Sequence, residues 1–346
     1  MESRKINVGI IGTGWIGEIR AKVCANHPLV ESVHIAEIDP AKLARVGEET
    51  RAKSATTDYH DLLRQEEIDA IFVCTTPETT HYPVTKDCLL ARKHTLLEKP
   101  MGLALKEADE MMALAKKAGL KFTIGYTQRF NPKYAYVKQS LLNGTLGRPV
   151  TALVSRNVSR SIGNKIGGRI RLSPAVMEAT HDIDFILWCL EGTKPVRVYS
   201  EVVYRIMEKT HGVPDCQWII VTMDDGTAFT IGAGWALPPG YPHFSTTTIE
   251  LVGTEGAVLI DDSHRDIVLN TMKGGMVFPL STMPGEQVEH VYQGPMAAET
   301  IHFIEAVALD KSVLVTPEQA RQVMEVTLAG DLSAERHEPV SLPLQA

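Results

Sequence analysis

Cysteine is scarce in this chain and forms no pattern. Cys24, Cys74, Cys88, Cys189 and Cys216 are the five cysteines among 346 residues, and none sits in a C-x-x-C spacing. That argues against a disulfide framework and against a structural zinc site. Most of them lie in apolar runs and read as small buried hydrophobes, which points to a reducing, cytoplasmic setting. No apolar run approaches the roughly 18 residues of a membrane span, so no membrane partner is expected. Positive charge is not in excess either. Lys+Arg number 35 against 42 Asp+Glu, a formal net charge of -7, which argues against nucleic acid as a partner. His, Cys and carboxylates nowhere gather at ligand spacing, so no metal is expected. Internal repeats and low-complexity segments are absent. The start, Met1 to Lys5, passes straight into the strand-like Ile6–Ile11 and reads as leaving no room for a signal peptide.

What is present is enough chain for two domains, with 44% hydrophobic and 22% charged residues. The first 125 or so residues alternate between β-rich runs and helical patterns. Strands are expected at Asn7–Ile11, Val33–Glu37, Ala70–Cys74, His94–Leu97 and Lys121–Gly125. Helices are expected near Ile16–Asn26, Pro40–Glu49, Tyr59–Gln65, Glu78–Ala91 and Leu105–Ala118, the last with Gly119 as its C-terminal cap. Such alternation predicts βαβ units and a parallel sheet covered on both faces. The pattern changes after Phe130. A helix over Lys133–Leu142 and a strand over Val150–Asn157 lead into a Gly/Ser-rich stretch and a helix from Pro174 to Leu190. From Val196 to Leu280 strands separated by short turns dominate, and helices near Met296–Leu309 and Pro317–Leu328 close the chain. The fold expected is therefore α/β. A Rossmann-type, doubly wound parallel sheet over residues 1–128 precedes an α+β domain over 129–346 with a large, mostly antiparallel sheet.

Gly12-Thr13-Gly14-Trp15-Ile16-Gly17 follows the first strand and opens a helix. In that context G-x-G-x-x-G marks a dinucleotide loop: Gly12 for the turn, Gly14 for close approach to a pyrophosphate, Gly17 for helix–strand packing. An acid about 20 positions on should hold the ribose hydroxyls. Glu37 and Asp39 both qualify; Glu37 lies nearer the strand end, and Asp39-Pro40 also suits a helix start. A carboxylate there repels a 2′-phosphate and favours NAD over NADP, with Lys42 and Arg45 nearby as the counter-argument. Thr75, Thr76, Pro77 and His81 follow the strand that ends at Cys74, and Glu98-Lys99-Pro100 ends the strand His94–Leu97. Thr75, Thr76, Pro77, His81, Glu98 and Lys99, with Gln128, complete the candidate cofactor set. A lysine at the carboxyl edge of a nucleotide-binding sheet points into the ligand crevice and can relay the proton that accompanies hydride transfer.

The Gly12–Gly17 loop, Thr76-Pro77 with His81, Glu98-Lys99-Pro100, Arg129-Phe130-Asn131-Pro132, His181-Asp182-Ile183-Asp184 and Gly253-Thr254-Glu255-Gly256 occur in the order and spacing of the Gfo/Idh/MocA oxidoreductases, which the whole chain resembles. The resemblance implies an NAD-dependent dehydrogenase oxidising a ring secondary alcohol of a sugar, inositol-like polyol or glycoside to a ketone. It assigns Lys99 to the reacting oxygen and His181 to its proton. Where many relatives carry an aspartate four residues before the histidine, this chain has Met177, with Glu178 the nearest carboxylate; Glu178 would orient His181 or bind a substrate hydroxyl.

Arg156, Asn157 and Trp235 are further candidate substrate contacts. Arg156 opens a run of cations (Arg160, Lys165, Arg169, Arg171) free of acids and suited to an anionic group, or equally to a solvated or subunit-contacting loop. The Trp235–His243 loop would form an apolar wall against a sugar ring, or cover a sheet edge. Arg129 and Asn131 read as stabilising the domain junction. Two rival functions stay open: a redox-neutral glycosidase that retains NAD, and an NAD-binding regulator without catalysis. The partner expected is a small carbohydrate or polyol, with a homodimer or homotetramer favoured by an exposed sheet face in the second domain.

Overall fold

The computed structural model describes residues 4–238, 241, 245–261, 269–277, 287–289 and 291–344. It comprises two units, Met1–Phe130 with Met283–Arg321, and Asn131–Thr282 with Gln322–Ala346.

In the first unit β1 (Ile6–Ile11), α1 (Trp15–Ala25), β2 (Val30–Ala36), α2 (Pro40–Thr50), β3 (Ser54–Thr56) and α3 (Tyr59–Leu63) form one half. β4 (Ile68–Val73), α4 (His81–Leu90), β5 (His94–Leu97), α5 (Leu105–Ala118) and β6 (Phe122–Ile124) form the other. The six strands are parallel in the order β3-β2-β1-β4-β5-β6. Strand order therefore reverses between β1 and β4, the switch point beside which such sheets bind nucleotides. Ile6, Val8, Ile10, Ile35, Ala70, Phe72 and Leu96 fill the core, as near-continuous apolar strands must when both faces are covered. α5 ends at Gly119 with φ +66°, and Lys116 and Lys117 lie in its last turn. The helix expected from Glu78 divides into a 3-10 turn, Glu78–Thr80, and α4. β3 escapes sequence reading because three residues at a sheet edge carry no usable periodicity.

The second unit contains α6 (Pro132–Leu142), β7 (Pro149–Ser159), α7 (Arg160–Gly167), α8 (Thr180–Cys189), β8 (Pro195–Val203) and α9 (Glu208–His211). β9 (Cys216–Met223), β10 (Ala228–Leu237), β11 (Ser245–Gly253) and β12 (Ala257–Asp261) follow. Short hairpins pair β13 (Leu269–Thr271) with β14 (Gly275–Val277), and β15 (Gln287–Val288) with β16 (Val291–Tyr292). α10 (Pro295–Ala308), α11 (Pro317–Arg336) and β17 (Val340–Ser341) complete the chain. The large sheet runs β12-β11-β7-β10-β9-β8-β17, antiparallel except between β7 and β10. Its strands alternate. Ile219, Val221, Phe229, Ile231, Ile249 and Leu251 are buried, while Leu153, Trp218, Ile220 and Leu259 are exposed.

Three departures from the sequence reading have physical causes. α7 occupies the Gly/Ser-rich stretch: Ser159 caps it by accepting from the Ser161 N–H, and Ile162, Ile166 and Ile170, spaced one turn apart, pack with Met207 and Trp235. α11 continues past Leu328 through Gly330, which lies beside Ile219 although glycine lowers helix propensity. The segment Met283–Arg321 returns to the first unit, where Phe303 and Ile304 of α10 join the β1, β2 and β4 core; a contiguous second domain from residue 129 misses this. Within the expected Trp235–His243 loop, residues 239, 240 and 242–244 lie outside the described residues, as do 278–280 at the end of the expected strand region. Among the described residues no helix is long and apolar enough to cross a membrane.

One charged cluster joins three elements of the first unit. The Arg20 side chain on α1 is 0% exposed. Its Nε donates to Glu98 Oε1 at 2.8 Å and Nη1 to Thr300 Oγ1 at 2.9 Å. Nη2 donates to both Glu98 Oε1 and Glu299 Oε2 at 2.5 Å. Burial acts to lower the Arg20 pKa, but the two carboxylates outweigh it and raise the pKa above its already high value. Removing the cation would leave the buried Glu299 and the half-buried Glu98 without their common partner. Arg20→Met is expected to cost about 3–5 kcal/mol, the range for breaking a buried ion pair from one side; urea unfolding that shows less than about 1 kcal/mol would refute this account of the cluster.

Candidate functional site

The loop after β1 is shaped for a phosphate-bearing ligand. Gly12 has φ +86°, and a Cβ there would lie 2.8 Å from the Cys74 carbonyl oxygen, so both the turn and the close approach of the strand end require glycine. A Cβ on Gly17 would meet the Gly12 oxygen at 1.9 Å. Gly14 differs: nothing lies within 4 Å of its Cβ position. This open side adjoins the start of α1, whose first-turn N–H groups have no partner within the helix. Trp15 is 51% exposed at that N-terminus, while Thr13 is buried and Ile16 half-buried.

Glu37 follows β2 and is 8% exposed. Its Oε2 accepts from Thr13 N at 2.6 Å and Thr13 Oγ1 at 3.0 Å, and its Oε1 accepts from Asp39 N at 3.0 Å. The carboxylate is thereby fixed against the glycine loop. Asp39 serves the next helix instead: Oδ1 accepts from Ala41 N at 2.9 Å and Lys42 N at 3.2 Å, with Pro40 in the first turn. Ile38 between them is 83% exposed, an apolar surface beside the loop that sequence reasoning overlooked. Arg45 is bound to Glu18 and Glu49, and Lys42 lies 3.9 Å from Asp39. The nearby cations therefore already face carboxylates. Open amides at a helix N-terminus, room beside Gly14 and an anchored carboxylate with neutralised cations around it fit a dinucleotide with an unphosphorylated ribose.

The ends of β4 and β5 are tied together by His81. This residue is 1% exposed; its Nδ1 lies 2.7 Å from the Pro100 carbonyl oxygen and its Nε2 3.0 Å from that of Thr75. Both ring nitrogens thus face backbone acceptors rather than an open crevice. Thr80 Oγ1 lies 2.7 Å from Thr75 Oγ1 and from the Pro77 carbonyl oxygen, and the peptides before Pro77 and Pro100 are cis. Glu98 is held by Arg20, and Gly125 lets its carboxylate approach, since a Cβ there would lie 3.0 Å from Glu98 Oε2. Lys99 stands between these two anchors and is half-buried. Gln128 is half-buried in a 3-10 turn, Thr127–Phe130. Its neighbour Arg129 donates to Leu314 O and Gln319 Oε1, within the first unit. Asn131 caps α6.

In the second unit a π turn, Ala175–Ala179, leads into α8. From Pro174 to Leu190 every residue is buried except Glu178 and His181. Met177 is in the hydrophobic cluster with Trp235, Met207 and Val213. Two sequence candidates take interior roles. Arg156 forms a bidentate pair with buried Asp182, Nε–Oδ2 2.6 Å and Nη2–Oδ1 2.7 Å. Burial acts to lower its pKa, and Asp182 outweighs this and raises it. Its charge is thus balanced inside the protein, against the expectation of an anion contact. Trp235 is 0% exposed and forms no wall; its indole Nε1 donates to Glu178 Oε1 at 3.0 Å. Asn157, on β7, is half-buried, and its Nδ2 donates to Ser155 Oγ at 3.4 Å. Sequence reading missed Arg20, Glu299 and Asp182 as organisers. The available signal was charge at helix positions otherwise occupied by apolar residues.

The family model described as "Oxidoreductase family, NAD-binding Rossmann fold" matches residues 6–126, and the GFO/IDH/MocA C-terminal domain model matches 134–259. The chain is similar to a myo-inositol 2-dehydrogenase of Thermotoga maritima, 26% identical across 78% of this chain and 79% of that one. It is 23% identical to a scyllo-inositol 2-dehydrogenase (NAD(+)) of Bacillus subtilis, across 99% and 97%. The crystal structure of a scyllo-inositol dehydrogenase from Lactobacillus casei with bound NAD(H) and scyllo-inositol shares the fold, with TM-score 0.83, 22% identity and coverage of 98% and 99%.

The open side of Gly14 separates stability from binding. Gly14→Val meets no protein atom and, with φ -61° and ψ -172° at that residue, is expected to change stability by less than about 1 kcal/mol. It should weaken NAD binding at least about tenfold, because the side chain occupies the approach of the pyrophosphate. Thermal unfolding and a fluorescence titration with NAD measure the two effects; unaltered NAD affinity would remove this loop as the phosphate site.

Proposed function

Because the chain belongs to the Gfo/Idh/MocA oxidoreductases, a family with an NAD-binding Rossmann fold, we propose that it oxidises a ring secondary alcohol of an inositol-like polyol or sugar to a ketone. Bound NAD supplies the hydride acceptor. In this reading Lys99 Nζ donates a hydrogen bond to the reacting oxygen, and His181 takes the hydroxyl proton as hydride leaves carbon. The observation that carries the reading is the placement of Lys99. It is half-buried at the carboxyl end of β5, held through Glu98 on one side and through Pro100 on the other, where a nucleotide sheet presents catalytic groups. The inositol dehydrogenase names of the relatives support the polyol class. Glu178, beside His181 in an otherwise buried segment, supplies a carboxylate where Met177 replaces the usual aspartate.

The test is NADH formation by the purified protein with NAD and a panel of inositols, sugars, uronates and glycosides. Lys99→Ala and His181→Ala should each lower kcat by about 10²–10⁴, the range for a general acid or base, with NAD affinity within about threefold of wild type for His181→Ala. Glycoside cleavage without NADH would replace this reading by a redox-neutral glycosidase. NAD binding without turnover would leave a regulator.

The reading includes a homo-oligomer. Leu259, Glu250, Leu153, Thr230, Ile220 and Tyr199 are aligned across the second sheet in one register row, with Trp218 in the next. Leu259, Leu153, Ile220 and Trp218 are exposed, an apolar patch of the kind a second copy covers. Trp218→Glu with Ile220→Glu should shift light-scattering mass towards the monomer; a wild-type monomer at micromolar concentration rules the oligomer out.

A further inference from the structure

The Glu178 carboxylate is held through one of its oxygens. Oε1 accepts the Trp235 N–H at 3.0 Å, whereas Oε2 makes no hydrogen bond to a described residue, and Glu178 has no ion-pair partner among them. The donor that holds Oε1 is itself immobile. Trp235 is 0% exposed and packed by Val158, Ile166, Met177, Met207 and Val213. A Cβ on Gly163 would stand 2.6 Å from Trp235 Cβ. The Trp235 backbone N–H donates to the Asp215 carbonyl at 2.8 Å, and the Asp215 carboxylate is in turn bound by the N–H groups of Ile206 and Met207 at 2.8 and 2.7 Å. An indole N–H only donates, so it selects an acceptor and fixes which carboxylate oxygen faces inward. Glu178 and His181 are the two residues between Pro174 and Leu190 that are not buried.

We propose that Trp235 is a positioning residue that aims Glu178 Oε2 at a substrate hydroxyl, and that this contact makes the enzyme specific for polyols bearing that hydroxyl over their deoxy analogues. The inference rests on the polyol dehydrogenase reading above. A half-buried carboxylate oxygen makes a strong acceptor for a hydroxyl, and a ligand lacking the hydroxyl leaves it desolvated and unpaired. Sites built in this way reject the lacking analogue by about 10⁴–10⁵.

Glu178→Gln inverts the polarity of the contact. Its amide oxygen must face the indole N–H, which places the NH₂ group, a donor, where Oε2 stood. The experiment measures kcat/KM on the polyol turned over most rapidly in the panel and on its deoxy analogues, for wild type, Glu178→Gln, Trp235→Phe and the double variant. Wild type should prefer one hydroxyl by about 10⁴. Glu178→Gln should lower kcat/KM about 100-fold on the hydroxylated substrate and by a clearly smaller factor on the deoxy substrate. Trp235→Phe, which keeps the ring and loses the donor, should cost about tenfold on the hydroxylated substrate alone. The double variant should be no worse than Glu178→Gln, since one residue acts through the other. Additive losses, or equal losses on both substrates, would reduce Trp235 to a packing residue and overturn the inference. Preference for an amino sugar over its hydroxyl counterpart would overturn the ligand class. If Trp235→Phe does not fold, the Glu178→Gln discrimination decides alone. A wild type that turns over no polyol removes the underlying reading and this inference with it; an active but indiscriminate wild type removes only the inference.

Discussion

The buried guanidinium of Arg20 is the constraint on which the carboxyl edge of the parallel sheet depends. It takes the side chain of Glu98 at the end of β5 and those of Glu299 and Thr300 on α10, and holds all three from α1. Two acidic side chains share one cation in a low-dielectric interior, an arrangement that depends on well-placed hydrogen bonds. Because Glu98 immediately precedes Lys99, fixing one carboxylate also fixes where the next backbone segment begins. His81 fixes the other side through the Pro100 carbonyl. Lys99 thus projects from a short piece of chain pinned at both ends, which is how a flexible side chain acquires a defined origin.

The same logic operates in the second unit. Arg156 spends its charge on Asp182, and Trp235 spends its one N–H on Glu178. Residues whose chemistry suits a ligand are therefore divided into two groups. Those that are buried satisfy one another, since an unpaired buried polar group costs free energy. Lys99, Glu178 and His181 keep part of their surface exposed. Burial separates the groups; residue type does not.

Much of the fold was legible because it rests on local signals. The alternation of apolar strands with helical patterns marked the parallel sheet, and Gly12, Gly14 and Gly17 marked the turn that begins α1. Leu105–Ala118 and His94–Leu97 agree end for end, because Gly119 stops the helix and the strand is a compact apolar run between polar neighbours. Where sequence reading fell short, distant contacts decided. α7 forms where two glycines dilute the helical pattern, because three isoleucines find a buried partner surface. α10 returns to the first unit although the whole second sheet intervenes in sequence. Glu37 and Asp39 both fell in the ribose window, with Glu37 nearer the strand end and Asp39-Pro40 suited to a helix start, and the hydrogen bonds have Asp39 capping the helix and Glu37 anchoring the glycine loop.

The sequence by itself determined the class of fold, the family and the dinucleotide loop, because periodicity, glycine positions and short motifs act over a few residues and survive without knowledge of neighbours. Tertiary structure alone decided which candidates are spent on interior partners. Trp235 and Arg156 carry the chemistry of substrate contacts, yet their partners Glu178 and Asp182 stand 57 and 26 residues away. Pairing across such distances follows from packing, and no local pattern encodes it.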